Sequence, residues 1–292
     1  MTEAVTVKHY DHIITDLDGV LFYPDKNLEN IAQDRFLRFL NERGIQSITL
    51  DTLRGLSLWN ERSDFMQQLK LQVGQGYIIG CNGAFGYNVG NNDIFYDTPG
   101  LSPDLLRRIV HFPQLEELLD VTNQNDSWAI SDCCLPADLM SLVQINDRVL
   151  WDTGFPRSEK IFKVAIDLPR DQTSRRFLTR FYKWLDEGGF LQEVSLNVSE
   201  GLLEITQSNY DKFYGIKQLS ENGILTPGMN VLVLGDEPLK GDRRLLQESR
   251  YEHKGVWFES VTNYPVDNPY VHRGVELKNV LFSNFMRLLA GL

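Results

Sequence analysis

The chain has 292 residues, 42% of them hydrophobic and 24% charged, with a formal net charge of −11. That length fits one large domain or two smaller ones, with apolar material for a sizeable core. So acidic a chain repels nucleic acid and anionic membrane, whose phosphates need clustered Lys and Arg. Its basic pairs (Arg107-Arg108, Arg175-Arg176, Arg243-Arg244) are isolated from one another. Three cysteines, Cys81, Cys133 and Cys134, form no disulfide framework and point to buried thiols in a reducing compartment. Residues 1–11 lack an apolar signal core, and no apolar run reaches the roughly 18 residues of a membrane span. A cytoplasmic protein is expected.

Along the chain, His12-Ile-Ile-Thr15 is a short apolar run stopped by Asp16-Leu-Asp18-Gly19, the pattern of a buried strand in a parallel sheet. Ile31, Phe36, Leu37 and Leu40 recur at helical spacing between Leu28 and Arg43, and Gly44 supplies a C-terminal cap. Ile45–Leu50 reads as a second strand, which completes a βαβ unit, and Gln75–Cys81 reads as a third, ending at Asn82-Gly83. From residue 86 the character changes. Helical patterns at Asp104–Ile109 and Ser174–Leu185 mix with alternating stretches at Lys160–Asp167 and Glu193–Val198, as in an α+β insert with half-exposed strands. The doubly wound pattern returns after Leu203-Glu-Ile205. A helix is predicted at Tyr214–Asn222, a buried strand at Asn230–Leu234 running into Gly235-Asp236, and a last helix at about Val275–Leu289. The fold class is therefore α/β. A doubly wound, mostly parallel Rossmann-like core (1–85 and 201–292) carries an inserted α+β cap, or lid, at 86–200.

Ligands of open parallel sheets sit at the carboxyl ends of the strands, which directs attention to Asp16, Asp18, the Thr49–Thr52 region, Asn82 and Asp236. Along an extended chain, residues two apart point to the same side, so Asp16 and Asp18 would share one spot with Leu17 turned into the core. Two adjacent anions are tolerable with a cation between them or a proton on one. Gly19 allows a sharp turn that turns backbone amides toward a ligand. Asp236, at the end of another strand, could complete an oxygen site for Mg²⁺, with Asp242 as a second acid. Lys212 could neutralise a phosphate and a nucleophile, with Lys217 as its near neighbour.

The order acid pair, hydroxyl, insert, lysine, acid resembles the haloacid-dehalogenase-like phosphatases, in particular the Cof-type branch with a type-C2 cap. Ile13-Ile-Thr-Asp16-Leu-Asp18-Gly19-Val-Leu21 is similar to that family's first motif, and Ile79-Gly-Cys-Asn82-Gly83-Ala84 to the Asn-Gly-Ala preceding its cap. The second motif, a Thr followed by Gly-Arg, corresponds to Thr49-Leu-Asp-Thr52-Leu-Arg54-Gly, with Thr52 preferred and Thr49 the rival. The fourth departs from the pattern. It reads Gly235-Asp236-Glu-Pro-Leu-Lys-Gly-Asp242, so Asp236 carries over well and Asp242 poorly.

The resemblance implies a hydrolase of phosphate monoesters. Asp16 would be the nucleophile forming an aspartyl-phosphate, and Asp18 the acid and base. Thr52 and Lys212 would hold phosphate, and Gly19, Asn82 and Gly83 would line the substrate site. Mg²⁺ would sit on Asp16, the Asp18 carbonyl and Asp236, with Asp242 in reserve. The implied partner is a small phosphorylated metabolite such as a sugar phosphate, with no nucleic acid and no membrane; nothing in the sequence sets an oligomeric state. The alternatives are a phosphomutase on the same core, or a catalytically impaired descendant that binds a phosphorylated ligand or protein partner.

Overall fold

Four consecutive residues, His12-Ile-Ile-Thr15, are fully buried and form the strand β1 (His12–Thr15). A strand buried on both faces reads as an unbroken run in the sequence, which is why it is legible there. The computed structural model describes residues 10–23, 25–54, 63–110, 112–113, 129–132, 142–144, 161–167, 172–199, 202–235 and 257–260. After β1 come α1 (Lys26–Glu42), β2 (Ser47–Asp51), α2 (Ser63–Gln72), β3 (Gln75–Gly80), β4 (Phe85–Asn88), β5 (Asp93–Asp97) and α3 (Pro103–Val110). Then follow β6 (Ala129–Asp132), β7 (Leu142–Gln144), β8 (Ile161–Asp167), α4 (Gln172–Glu187), β9 (Val194–Ser199) and β10 (Leu202–Gln207). The last described elements are α5 (Lys212–Glu221), β11 (Val231–Gly235) and β12 (Trp257–Ser260). The expected helix at 275–289 lies outside the described residues, as do Asp236 and Asp242.

Seven strands form one sheet in the order β12-β11-β1-β2-β3-β4-β5. The pairs β12/β11, β11/β1, β1/β2 and β2/β3 are parallel, and β4 runs antiparallel to β3. Strand order reverses at β1, where one neighbour follows it in sequence and the other lies far along the chain. Such a switch point opens a crevice at the carboxyl ends of the strands. α1 starts where the Asp25 carboxylate caps the amides of Asn27 and Leu28 at 2.8 and 3.3 Å. On one face of the sheet, Ile216 and Leu219 of α5 pack with Ile14, Ile79, Val231 and Val233. Gly215 lets α5 sit this close, since a Cβ there would lie 2.4 Å from Ile79 Cγ2 and 3.0 Å from the Tyr96 hydroxyl.

Inside this sheet His12 is completely buried. Its ring bridges β1 to β2, with Nδ1 2.7 Å from Ser47 Oγ and Nε2 2.8 Å from Thr49 Oγ1. Burial drives its pKa down to about 3, so the imidazole is neutral.

Contacts within the chain define two units. One comprises Met1–Arg54, Leu58–Tyr96 and Lys212–Leu292, the other Gly55–Ser57 and Asp97–Asp211. The second unit has a five-stranded sheet, β7-β6-β8-β10-β9, whose described pairs are all antiparallel. One face carries a core of Ile109 from α3, Phe177, Phe181 and Leu185 from α4, and Val164 and Ile205 from the strands. The alternate positions of β8 and β10 carry Lys163 and Glu204, both buried, with Lys163 Nζ donating to Glu204 Oε1 at 2.7 Å.

The division differs from the expected boundaries at 86 and 200. Residues 85–88 and 93–97 form β4 and β5, which extend the seven-stranded sheet, and Leu203–Ile205 lies in β10, between β8 and β9 in the five-stranded one. The Gly-Asn clusters at 82–92 mark turns between strands of the larger sheet; they resemble a domain boundary because turn residues serve both purposes.

Candidate active site

β1 ends at Thr15, and the next residue is Asp16, only 7% exposed. The Asp16 amide donates to the Leu234 carbonyl of β11 at 2.9 Å, tying this position to the switch point. One carboxylate oxygen accepts the Leu17 amide at 2.7 Å, and the other meets Lys212 Nζ at 2.8 Å. Lys212 is the first residue of α5 and has a side chain 4% exposed. It is the buried cation of the site, whereas Lys217 lies half-buried with its ammonium 5.2 Å from the Phe213 ring.

The chain leaves the extended conformation after β1, so strand alternation does not by itself set the direction of Asp18 relative to Asp16. The Leu17 carbonyl accepts amides from Val20, Leu21 and Phe22 at 3.3, 2.8 and 2.7 Å, closing a tight turn. Alternation holds only for extended backbone. The two carboxylates accordingly have different cations. Asp18, with a side chain 50% exposed, is gripped by Arg54, whose Nε lies 3.1 and 2.9 Å from its two oxygens and whose Nη2 lies 2.7 Å from Oδ1. Gly19 takes a positive φ of 79°, as expected of the turn, but its amide is spent on the Phe22 carbonyl at 2.9 Å rather than presented to a ligand.

Thr49 and Thr52 differ in position. Thr49 lies inside β2, with its hydroxyl against His12. Thr52 follows the last residue of β2, level with the end of β3, since its amide donates to the Ile79 carbonyl at 2.9 Å. Its hydroxyl oxygen accepts the Arg54 amide at 3.0 Å, leaving the hydroxyl proton as a donor. The Asn82 amide donates to the Thr52 carbonyl at 3.1 Å, and the Cys81 amide to that of Arg54 at 2.9 Å. Cys81, Asn82 and Gly83 have φ of 49°, 61° and 85°. This left-handed run folds the 81–84 turn back against residues 52–54, with the Gly83 carbonyl accepting the Tyr96 hydroxyl at 3.2 Å. Cys81, expected as a thiol, is disulfide-bonded.

The structure thus brings together Asp16 with Lys212, Asp18 with Arg54, and Thr52 with Asn82. Arg54 is the site residue that sequence reasoning left without a role. The signal available was its place two residues after Thr52, mirroring Asp18 two residues after Asp16. Mg²⁺ takes carboxylate and carbonyl oxygens together with water. The Asp16 carboxylate and the Asp18 carbonyl are donors of that kind on one short segment, and Asp236 follows β11, the parallel neighbour of β1. This all-oxygen set fits Mg²⁺ in donor chemistry. Among the described residues there is no cluster of three or more His, Cys, Asp or Glu, and no helix is long and apolar enough to cross a membrane.

The sequence profile of haloacid dehalogenase-like hydrolases matches residues 13–251, and the chain belongs to this family. Among curated protein sequences none matches it. Solved structures share the fold at low identity. A haloacid dehalogenase-like hydrolase from Bacteroides thetaiotaomicron has 19% identity and a TM-score of 0.60, over 96% of this chain and 99% of that one. A second protein from that organism, a phosphatase of the same superfamily, has 11% identity and a TM-score of 0.55, over 97% and 96%. A sugar phosphatase of HAD subclass IIB has 12% identity and a TM-score of 0.53, over 86% of each chain.

Proposed function

We propose that this hydrolase is a Mg²⁺-dependent phosphomonoesterase acting on a small phosphorylated metabolite, a sugar phosphate in the first instance. The observation that carries the reading is the buried Asp16–Lys212 contact of 2.8 Å at the end of β1. A carboxylate beside a fixed cation can approach an anionic phosphate that would otherwise repel it. The sugar phosphate is suggested by the sugar phosphatase among the structural relatives.

In this mechanism an Asp16 oxygen attacks phosphorus, the bond from phosphorus to the leaving oxygen breaks, and Asp18 gives that oxygen a proton. Asp18 then takes a proton from the water that hydrolyses the aspartyl-phosphate, which restores both residues. Thr52 donates its hydroxyl proton to a phosphate oxygen, and Lys212 keeps nucleophile and phosphate in register. Asn82 and Gly83 border the same place. Asp16, the Asp18 carbonyl and Asp236 would hold Mg²⁺, which would supply positive charge against the phosphate oxygens. Asp242 is kept as a further candidate ligand. We assign selection of the organic part of the substrate to the inserted unit.

The test is a panel of phosphorylated metabolites assayed for phosphate release with and without Mg²⁺, followed by acid quench and mass analysis of the Asp16 peptide. A phosphoryl group on Asp16 is expected, absent in Asp16→Asn. Turnover with phosphate on any other residue would refute the mechanism, and no Mg²⁺-dependent turnover on any member of the panel would refute the activity.

A further inference from the structure

A sheet pairs its backbone polar groups except along its two outermost strands, where one row of N–H and C=O groups faces outward. The outermost strands here are β5 and β12 in the larger sheet, and β7 and β9 in the smaller one. Three of them carry the usual protection against pairing with another chain. β7 is three residues long, β5 begins and ends with Asp, and β12 is four residues long and contains Glu259. β9 has none of these devices. It runs for six residues, Val194-Ser-Leu-Asn-Val-Ser199, without charge, proline or glycine, and pairs with β10 in unbroken register throughout. Among the described residues no strand pairs with its other side. Its side chains add an apolar stripe to that edge. Val194 is buried and Leu196 half-buried in the core shared with α3 and α4, and Val198 follows on the same face, 45% exposed. Ser195 and Asn197 alternate with them and are exposed.

We propose that β9 is an interaction edge where a second copy of this chain adds its own β9, antiparallel about a twofold axis, joining two five-stranded sheets into one of ten strands. The strand complements itself as such a pairing requires. A twofold axis perpendicular to the sheet keeps every residue on its own face, so only pairings centred on a residue are allowed. Centred on Leu196, the pairing sets Val198 against the partner's Val194, and Ser195 against the partner's Asn197. Centred on Asn197, it sets Val198 against the partner's Leu196, and Ser195 against the partner's Ser199. Either register covers the exposed Val198 with an aliphatic side chain and leaves no charge opposite a charge. Net charge favours the same strand. Each copy carries −11, so two copies repel wherever acidic surfaces meet, and an uncharged edge is where they approach with least repulsion. The inference stands apart from the phosphatase reading, since it uses no residue of that site.

Sedimentation equilibrium of the full chain, at about 1 to 100 µM, tests the pairing. A monomer–dimer equilibrium is expected, with a dissociation constant on the order of 10 µM for so narrow a contact. Val198→Lys should raise that constant by about tenfold or more, and Ser195→Lys, on the other face of the strand, should do the same. Both positions are exposed, and urea midpoints equal to wild type show that the variants fold; should one be destabilised, the other carries the test. Added lysine lowers the repulsion between two acidic copies, so weaker association in these variants has its cause at the strand and not in net charge. Ile31→Lys is the control. Ile31 of α1 is 43% exposed, close to Val198, and its replacement should leave the dimer unchanged. A chain that stays monomeric over the whole range overturns the proposal. So does a dimer that the β9 variants leave intact, or one that Ile31→Lys weakens as much as they do.

Discussion

The two sheets each bury a lysine against a carboxylate, at nearly the same distance and for different ends. Beside the seven-stranded sheet Lys212 meets Asp16 at 2.8 Å, with side chains 4% and 9% exposed. In the five-stranded sheet Lys163 meets Glu204 at 2.7 Å, with side chains 11% and 9% exposed. What differs is the backbone beneath them. Lys163 and Glu204 lie within β8 and β10, where each stands in register with a paired neighbour: Lys163 with Thr206 and Glu204 with Ala165. The Glu204 carboxylate is filled, taking Lys163 on one oxygen and Asn197 at 3.2 Å on the other. Asp16 and Lys212 lie where a strand stops and a helix starts, so polar backbone and a crevice are at hand. A buried ion pair is therefore no mark of a site by itself. Its place at the end of a parallel strand is what gives it chemical reach.

The largest difference between the two pairs should be in catalysis. Asp16→Asn is expected to reduce phosphate release by on the order of 10⁴-fold or more, while Glu204→Gln leaves the phosphorylated Asp16 intermediate detectable by mass analysis. The same Asp16→Asn change removes a charged partner of the buried Lys212, so a loss of stability in urea should accompany the loss of activity. Lys212→Met comes next, with an expected drop in kcat/KM of about 10²-fold or more from the lost phosphate and nucleophile neutralisation.

A comparison in stability alone follows. Lys163→Met strands a buried carboxylate and should cost about 3–5 kcal/mol, whereas Lys163→Met with Glu204→Leu should recover most of that. If single and double variants unfold at the same urea concentration, the pair is not the buried couple described here. Gly215→Ala pushes a methyl into Ile79 and should cost about 1–3 kcal/mol, with α5 and Lys212 displaced, read as a lower urea midpoint and a raised KM.

The last comparison concerns pH. The unfolded chain protonates His12 near its ordinary pKa of 6.5, while the folded chain resists until about 3. The stability associated with the neutral ring is therefore full above pH 6.5. It falls as pH drops toward 3, at no more than about 1.4 kcal/mol per pH unit. His12→Gln should flatten urea midpoints measured between pH 7 and pH 4 relative to wild type, and an equal slope in the two proteins would contradict this.

The sequence by itself determined the parts whose signals are local. β1, β2, β3 and β11 are short apolar runs because both faces of their sheet are covered, and α1, α4 and α5 show apolar residues at helical spacing. The position of Asp16 at the end of the first strand follows from the same pattern. Only the tertiary structure decided which threonine ends its strand, which lysine is buried, and which sheet takes β4, β5 and β10. It also gave Asp18 a partner 36 residues away in the chain. Backbone periodicity is written within a few residues. The choice of an ion-pair partner, or of a sheet edge to join, is made by surfaces that meet only once the chain has folded.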